Sequence, residues 1–311
     1  MTILLATDFD DEEFDTWLQL LTQALPQERF VRPSDDFDSA SVDIALVANP
    51  PRGALAGLAG LNFVQSLWAG IEKLLDDPSV PKHLPLARMV DPGMSHAMAE
   101  TALWAALGLQ RRFLDYAAQQ HAGVWKVLRQ RPAAEVKVAV LGLGEMGRAA
   151  ARRLVAQGFR VHGWTRQEAI VEGVVVHSGA KGLPAALADA EIVINLLPLT
   201  DETRGLFNRS LFDAWPHGAS LVNLGRGAHV IDADLLDALE CGRVQRAVLD
   251  VFTQEPLPSN HPFWCHPKVT ILPHVAAPTD PLTAVPHVAH NVRCWRVGEP
   301  LIGLVDRRRG Y

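Results

Sequence analysis

Arg226 in NLGRG, Glu255 in TQEPLP and His274 in ILPH follow, in that order, a glycine-rich run LGLGEMG at residues 141–147. The three side chains form the set that hydride transfer to a 2-keto acid requires. A guanidinium holds the substrate carboxylate, an imidazole gives a proton to the developing alkoxide, and a carboxylate orients the imidazole. Taken singly, each residue has a plainer reading. Arg226 could stabilise a turn, His274 could be a capped histidine at a strand end, and Glu255 could be an exposed loop acid before proline. Their order and flanking sequence favour the chemistry.

Gly142, Gly144 and Gly147 make a G-x-G-x-x-G pattern directly after the apolar run VKVAV and at the mouth of a helix expected from Glu145 to about Gln157. In that setting the glycines allow a tight turn, backbone approach to a pyrophosphate and close packing of helix on strand. The helix N-terminus offers N–H groups and partial positive charge to phosphates. Glu145 is expected to point outward, because it would otherwise repel them. About 20 residues further on, a dinucleotide site usually carries an acid for the ribose 2′-hydroxyl. Here that position is Thr165, followed by Arg166. A missing carboxylate and an adjacent guanidinium favour a 2′-phosphate, hence NADP(H), with NAD(H) still possible. The plainer alternative is a surface arginine after a strand.

Apolar runs at residues 3–6, 43–47, 62–67 and 86–90 predict strands, and 11–25 predicts a helix with Trp17, Leu18 and Leu21 inward. Such alternation indicates a parallel α/β domain. Residues 94–120 lack proline and predict one long helix, with Ala97, Thr101, Trp104, Ala105 and Gly108 on a small-residue face. After the fingerprint strand, further strands are predicted at 160–164, 191–196, 220–223, 247–251 and 269–272. The chain turns helical again beyond Pro278, and its tail VDRRRGY is expected to pack back on the first domain.

A chain of 311 residues is long enough for two domains. Hydrophobic content of 48% with charged content of 21% is that of an ordinary globular protein. The net charge of −6 gives a nucleic-acid partner little support, and the cluster Arg307, Arg308, Arg309 reads as a solvated tail or local salt-bridge partner rather than a polyanion site. Cys241, Cys265 and Cys294 show neither pairing nor metal-type spacing, so reduced thiols and no metal are expected. The start MTILLATDFDDEEFD lacks the basic and apolar regions of a signal peptide, and the apolar segment at 101–109 is too short to cross a bilayer. A soluble, cytoplasmic protein without membrane partners is the expectation.

LGLGEMG, INLLPLTDETRGLFN, NLGRGAHVIDADLLDALECGRVQRAVLDVFTQEPLP and HPKVTILPHVA together closely resemble the D-isomer-specific 2-hydroxyacid dehydrogenases. VDRRRGY and the overall length are most similar to the glyoxylate/hydroxypyruvate reductase A branch. The resemblance implies Arg226 as the group binding the substrate's carboxylate and keto oxygen, His274 as acid–base and Glu255 as its partner. Beside a carboxylate, an imidazole near neutrality can give a proton during reduction and take one during oxidation.

The same resemblance implies Gly142, Gly144, Met146 and Gly147 around the cofactor, with Leu197 and Pro198 against it and Asp250 bonding the nicotinamide carboxamide. The loop Trp68-Ala69-Gly70-Ile71 would present N–H groups to the substrate carboxylate. Trp68 could wall the site or simply pack in the core. Gly225, where many relatives carry alanine, is expected to change little beyond local flexibility. Ala48, where branch relatives carry a bulky aromatic, would widen the pocket if it lines it.

The architecture implied is two Rossmann-like or flavodoxin-like parallel-sheet domains. A dinucleotide-binding domain (93–277) is inserted in a discontinuous substrate domain (1–92 and 278–311), with the site in the cleft. A homodimer through the 94–120 helix and the arm carrying Trp125 is expected; the alternative is a helix that packs only within its own domain. The function implied is NADPH-dependent reduction of a small 2-keto acid, glyoxylate or hydroxypyruvate first. Rivals are a dehydrogenase of another small anion such as formate or phosphite, and a nucleotide-sensing, corepressor-like binding protein. Glu255 beside His274 argues against the formate type, which pairs histidine with glutamine.

Overall fold

In the computed structural model, which describes residues 1–308 and 310, the chain opens on β1 (Thr2–Thr7), whose side chains are buried on both faces. Helix α1 (Asp11–Ala24) starts where the Asp10 carboxylate accepts the Glu13 N–H at 2.9 Å. Acids at 11, 12 and 13 complement the helix dipole. Phe14, Trp17 and Leu21 recur along its buried face. β2 (Arg29–Val31), β3 (Val42–Ala48), β4 (Phe63–Ser66), the short α2 (Glu72–Leu75) and β5 (Leu86–Ala87) follow. Their strands form a five-stranded parallel sheet in the order β2-β1-β3-β4-β5. The sequence pattern did not reveal β2, because three residues are too few to show a period. β5 is shorter than expected: pairing stops at Ala87.

Helix α3 (Pro92–Gln110) ends well before the predicted position 120. Arg112 adopts left-handed backbone, φ 59°, and α4 (Phe113–His121) restarts beyond it. The break is anchored by Asp115, which is paired with the Arg112 guanidinium and accepts from Arg246 at 2.7 Å. A hydrophobic period cannot report one such residue. The buried stripe of α3 is Met98, Ala102, Ala105 and Leu109, while Trp104 on the expected packing face is exposed.

The chain continues through β6 (Lys137–Leu141), α5 (Glu145–Ala156), β7 (Arg160–Thr165), β8 (Val175–Ser178), α6 (Gly179–Leu187) and β9 (Ile192–Asn195). Then come α7 (Arg209–Ala214), β10 (Ala219–Asn223), α8 (Asp232–Glu240), β11 (Val244–Leu249) and β12 (Val269–Ile271). These strands build a seven-stranded parallel sheet ordered β12-β11-β10-β9-β6-β7-β8. Val138 and Val140 of β6 enter one apolar cluster with Ala150 and Leu154 of α5. Ala139 and Leu141 enter the other, with Phe207, Phe212 and Leu235. Burial on both faces is why residues 138–141 of β6 read as an unbroken apolar run.

Finally α9 (Pro281–Val297) returns to the first sheet. Arg293 donates to the Ala24 carbonyl at 2.6 Å, and Arg296 donates to both Glu28 carboxylate oxygens at 2.8 Å and pairs with Asp43. The buried Asn291 amide donates to Gln65 Oε1 at 2.7 Å. The Val305 N–H donates to the Leu86 carbonyl at 2.8 Å, so the tail packs against β5; Arg309 and Tyr311 lie outside the described residues. The chain thus divides into two compact units, Met1–Met94 with the described residues from Thr279 onward, and Ser95–Pro278.

Candidate active site

Six parallel strands of the larger sheet each deliver candidate residues at their C-terminal ends. In sheet order, His274 follows β12, Asp250 and Glu255 follow β11, Arg226 follows β10, Leu197 and Pro198 follow β9, the glycine turn follows β6, and Thr165 closes β7. Backbone bonds continue past the strand ends and hold these exits side by side. His274 N–H donates to Asp250 O (2.8 Å), Asp250 N–H to Asn223 O (3.0 Å), Leu224 N–H to Asn195 O (3.1 Å), Leu196 N–H to Leu141 O (2.8 Å) and Gly142 N–H to Trp164 O (2.9 Å). β6 lies between β9 and β7, so strand order reverses at the glycine turn, the place where open α/β sheets form a crevice.

His274 and Glu255, far apart in sequence, are in direct contact. Nδ1 of His274 lies 2.7 Å from Glu255 Oε2, while Glu255 Oε1 accepts the Phe252 N–H at 2.8 Å. An ionised carboxylate only accepts, so the proton of this bond sits on Nδ1 and Nε2 is left for exchange. The histidine side chain is 53% exposed. His274 itself is left-handed, with φ 57°. Asp250 secures the turn: its nearly buried carboxylate accepts from the N–H groups of Val275 (2.7 Å) and Ala276 (3.1 Å). Burial raises the Asp250 carboxyl above its ordinary range, against the opposing effect of those N–H groups.

Arg226 is half-buried, and its Nη1 donates to the Gly225 carbonyl at 2.7 Å. The next residue explains how this segment meets the Glu255 loop. A Cβ at Gly227 would collide with the Phe252 carbonyl and the Thr253 nitrogen, so only glycine lets these two backbones run in contact.

At the other end of the row, Gly142 has φ 97°, and a Cβ there would lie 2.5 Å from the Leu196 carbonyl oxygen. Gly147 packs against the Gly142 carbonyl with no space for a side chain. Gly144 caps α5 without a side-chain hydrogen bond, and nothing lies within 4 Å of the place its Cβ would take. An open turn over an N-terminus with no side-chain cap suits a pyrophosphate. Glu145 is exposed, Met146 half-buried, Leu197 buried and Pro198 half-buried. Thr165 is half-buried and Arg166 exposed. Arg166 acts on Glu202, whose carboxyl is lowered first by a hydrogen bond from Thr200 and also by this guanidinium.

In the smaller unit, the Trp68–Ile71 loop leaves β4. Ser66 Oγ donates to the Trp68 carbonyl (2.9 Å) and accepts its N–H (3.1 Å), and the Trp68 ring meets Phe9 edge-on at 5.6 Å. Trp68, Ala69 and Gly70 are half-buried, and Ile71 is buried. Ala48, at the end of β3, is completely buried, so its methyl group faces packing rather than an open surface.

A buried polar cluster behind Arg226 went unrecognised in the sequence. Asn195, Asn223 and His229 are fully buried. Asn195 Nδ2 bonds Asn223 Oδ1 and His229 Nδ1, both at 2.8 Å. Asn223 Nδ2 donates to the Arg226 carbonyl at 3.1 Å. The cluster also refines the expectation for Gly225. A Cβ there would lie 2.9 Å from Asn195 Nδ2, 3.1 Å from the Leu197 carbonyl and 3.2 Å from His229 Cε1, so a side chain at this position would have to be met by small shifts of the cluster and is not a matter of local flexibility alone. The only sequence signal was polar residues at strand ends predicted to be buried.

A parallel sheet that carries a glycine turn at its switch point and an imidazole–carboxylate pair on the same edge places the molecule among nucleotide-dependent dehydrogenases. Residues 103–276 match the family model described as D-isomer specific 2-hydroxyacid dehydrogenase, NAD binding domain. The chain is 41% identical over 308 residues to glyoxylate/hydroxypyruvate reductase A of Serratia proteamaculans, covering 97% of each chain. It is 39% identical over 304 residues to the Yersinia enterocolitica protein of the same name, covering 96% of this chain and 97% of that one. A D-isomer specific 2-hydroxyacid dehydrogenase from Xanthobacter autotrophicus, solved with NADPH and MES, superposes with a TM-score of 0.94 at 39% identity, covering 100% of this chain and 99% of that one. The NADPH-dependent glyoxylate/hydroxypyruvate reductase of Sinorhizobium meliloti, solved with NADP and sulfate, gives 0.93 at 34% identity with the same coverage. The chain belongs to the D-isomer specific 2-hydroxyacid dehydrogenases.

Proposed function

We propose that this protein reduces a small 2-keto acid, glyoxylate or hydroxypyruvate first, to the 2-hydroxy acid with NADPH. The observation that carries the reading is the 2.7 Å contact between His274 and Glu255 on the strand edge that also bears Arg226 and the glycine turn. The relatives named for this reaction, and the neighbours solved with NADPH or NADP, support it.

Gly142, Gly144, Met146 and Gly147 would hold the dinucleotide, with Leu197, Pro198 and Asp250 on its nicotinamide side and Thr165 and Arg166 toward the 2′-phosphate. When bound, NADPH supplies the hydride. Arg226 anchors the substrate carboxylate and polarises the keto oxygen through its planar fork of donors. His274 gives a proton from Nε2 to that oxygen, while Glu255 keeps Nδ1 protonated and stabilises the imidazolium. The Trp68–Ile71 loop would add backbone donors for the carboxylate.

On this reading residues 93–277 form the nucleotide-binding domain and 1–92 with 278–311 the substrate domain. We also read the protein as a cytoplasmic homodimer. The three thiols are free, and no helix among the described residues is long and apolar enough to cross a membrane. The deciding experiment offers purified protein a panel of 2-keto acids with NADPH or NADH and follows nicotinamide oxidation. Turnover of glyoxylate or hydroxypyruvate, faster with NADPH, is expected. Silence across the panel with NADPH binding intact would overturn the proposal.

A further inference from the structure

We propose that His229 is a positioning residue for the reductase reaction, one that holds the Arg226 segment and the Leu197–Pro198 turn in register as a single buried unit. The inference rests on the reading of Arg226 as the substrate anchor and extends it to a side chain that cannot itself reach the substrate.

The argument starts from which atoms can donate. The Arg226 backbone N–H points at His229 Nδ1, 3.2 Å away, and an amide can only give its hydrogen. Nδ1 is therefore an acceptor and carries no proton. Pro198 O lies 3.2 Å from Nε2, and a carbonyl can only accept, so Nε2 bears the hydrogen. The ring is neutral, in one tautomer, with one edge on each of two neighbouring strand exits. Asn195 reinforces the arrangement. Its Oδ1 accepts the Leu197 N–H at 3.2 Å, which fixes the amide orientation and turns Nδ2 toward His229 Nδ1 and Asn223 Oδ1. Asn223 Oδ1 also accepts the Gly225 N–H at 3.3 Å.

Further bonds bind the same two segments. Thr203 Oγ1 donates to the Pro198 carbonyl at 2.8 Å, Gly205 N–H to Ala228 O at 2.9 Å, and Phe207 N–H to His229 O at 2.9 Å. The backbone on either side of Arg226 is thus held by Asn223 and His229, and the same histidine fixes the turn proposed to lie against the nicotinamide. A small displacement of one would pass directly to the other, because a fully buried polar group has no water to replace a lost partner.

The test is a double-mutant cycle between His229→Leu and Arg226→Ala, read as kcat/KM for glyoxylate, together with NADPH affinity and the melting temperature. In the wild-type background His229→Leu should lower kcat/KM roughly 10- to 100-fold, chiefly through the keto-acid KM. In the Arg226→Ala background the same change should cost several-fold less, because one of the two segments it holds has lost its substrate-binding group and only the effect on the Leu197–Pro198 turn remains. His229→Asn, which retains an acceptor near the Nδ1 position, should recover most of the loss. If His229→Leu does not fold, His229→Gln takes its place in the cycle. Equal losses in both backgrounds, or a lowered melting temperature with unchanged kcat/KM, would overturn the proposal. An Arg226→Ala enzyme that keeps wild-type kcat/KM would instead overturn the assignment of Arg226.

Discussion

His274 occupies left-handed backbone, which costs a residue other than glycine on the order of 1–3 kcal/mol. Asp250 offsets that cost by accepting the two N–H groups that follow. The candidates Arg226, Glu255 and His274 were legible because their neighbours in sequence are distinctive. His229 and the tight fit at Gly225 were not, because their partners are set by which strands lie side by side. Arg166 follows the site's second strand, where an acid would select against a 2′-phosphate. Arg166→Ala should raise the KM for NADPH roughly tenfold or more, the scale of a lost hydrogen bond to a charged group, while NADH changes by less than about twofold. Equal effects on both cofactors in steady-state kinetics would remove Arg166 from that role.

Most strand positions were readable from apolar runs, but β2 and β8 were not, since RFV and VVHS are short and only partly buried. β8 brings an unforeseen partner to β7. His162 Nδ1 lies 3.0 Å from His177 Nε2, and the rings stack at 5.2 Å. Burial, then Lys137 and His177, lower His162 to about 4, and burial also lowers His177. Both rings are therefore held neutral where an unfolded chain would charge them. Between about pH 6.5 and 4 the unfolded state binds more protons, so stability present at neutral pH is lost as the medium acidifies across that window. Denaturant unfolding of His162→Gln at a series of pH values should show a flatter acid dependence than wild type. An identical slope would mean that the pair does not couple to folding.

At the scale of the whole molecule, the inserted arrangement was suggested by where the helical patterns change, and the resemblance supplied the rest. The arm after α4 leaves Val124 50%, Trp125 99% and Val127 82% exposed, an apolar strip that a monomer would leave in water. If it is the contact between two copies, sedimentation should give a dimer for wild type and a shift toward monomer for Trp125→Ser. A Trp125→Ser protein that sediments as wild type would place the contact elsewhere.

The return of α9 to the first sheet has a consequence for biosynthesis. Arg296 joins Glu28 and Asp43, and Asn291 reaches Gln65, so the five-stranded sheet gains these partners only after α9 has been synthesised. The central unit, continuous from residue 95 to 278, is under no such delay. The five-stranded sheet, synthesised ahead of the central unit, is therefore completed after it, and its apolar strands are without part of their cover while residues 95–278 are being made.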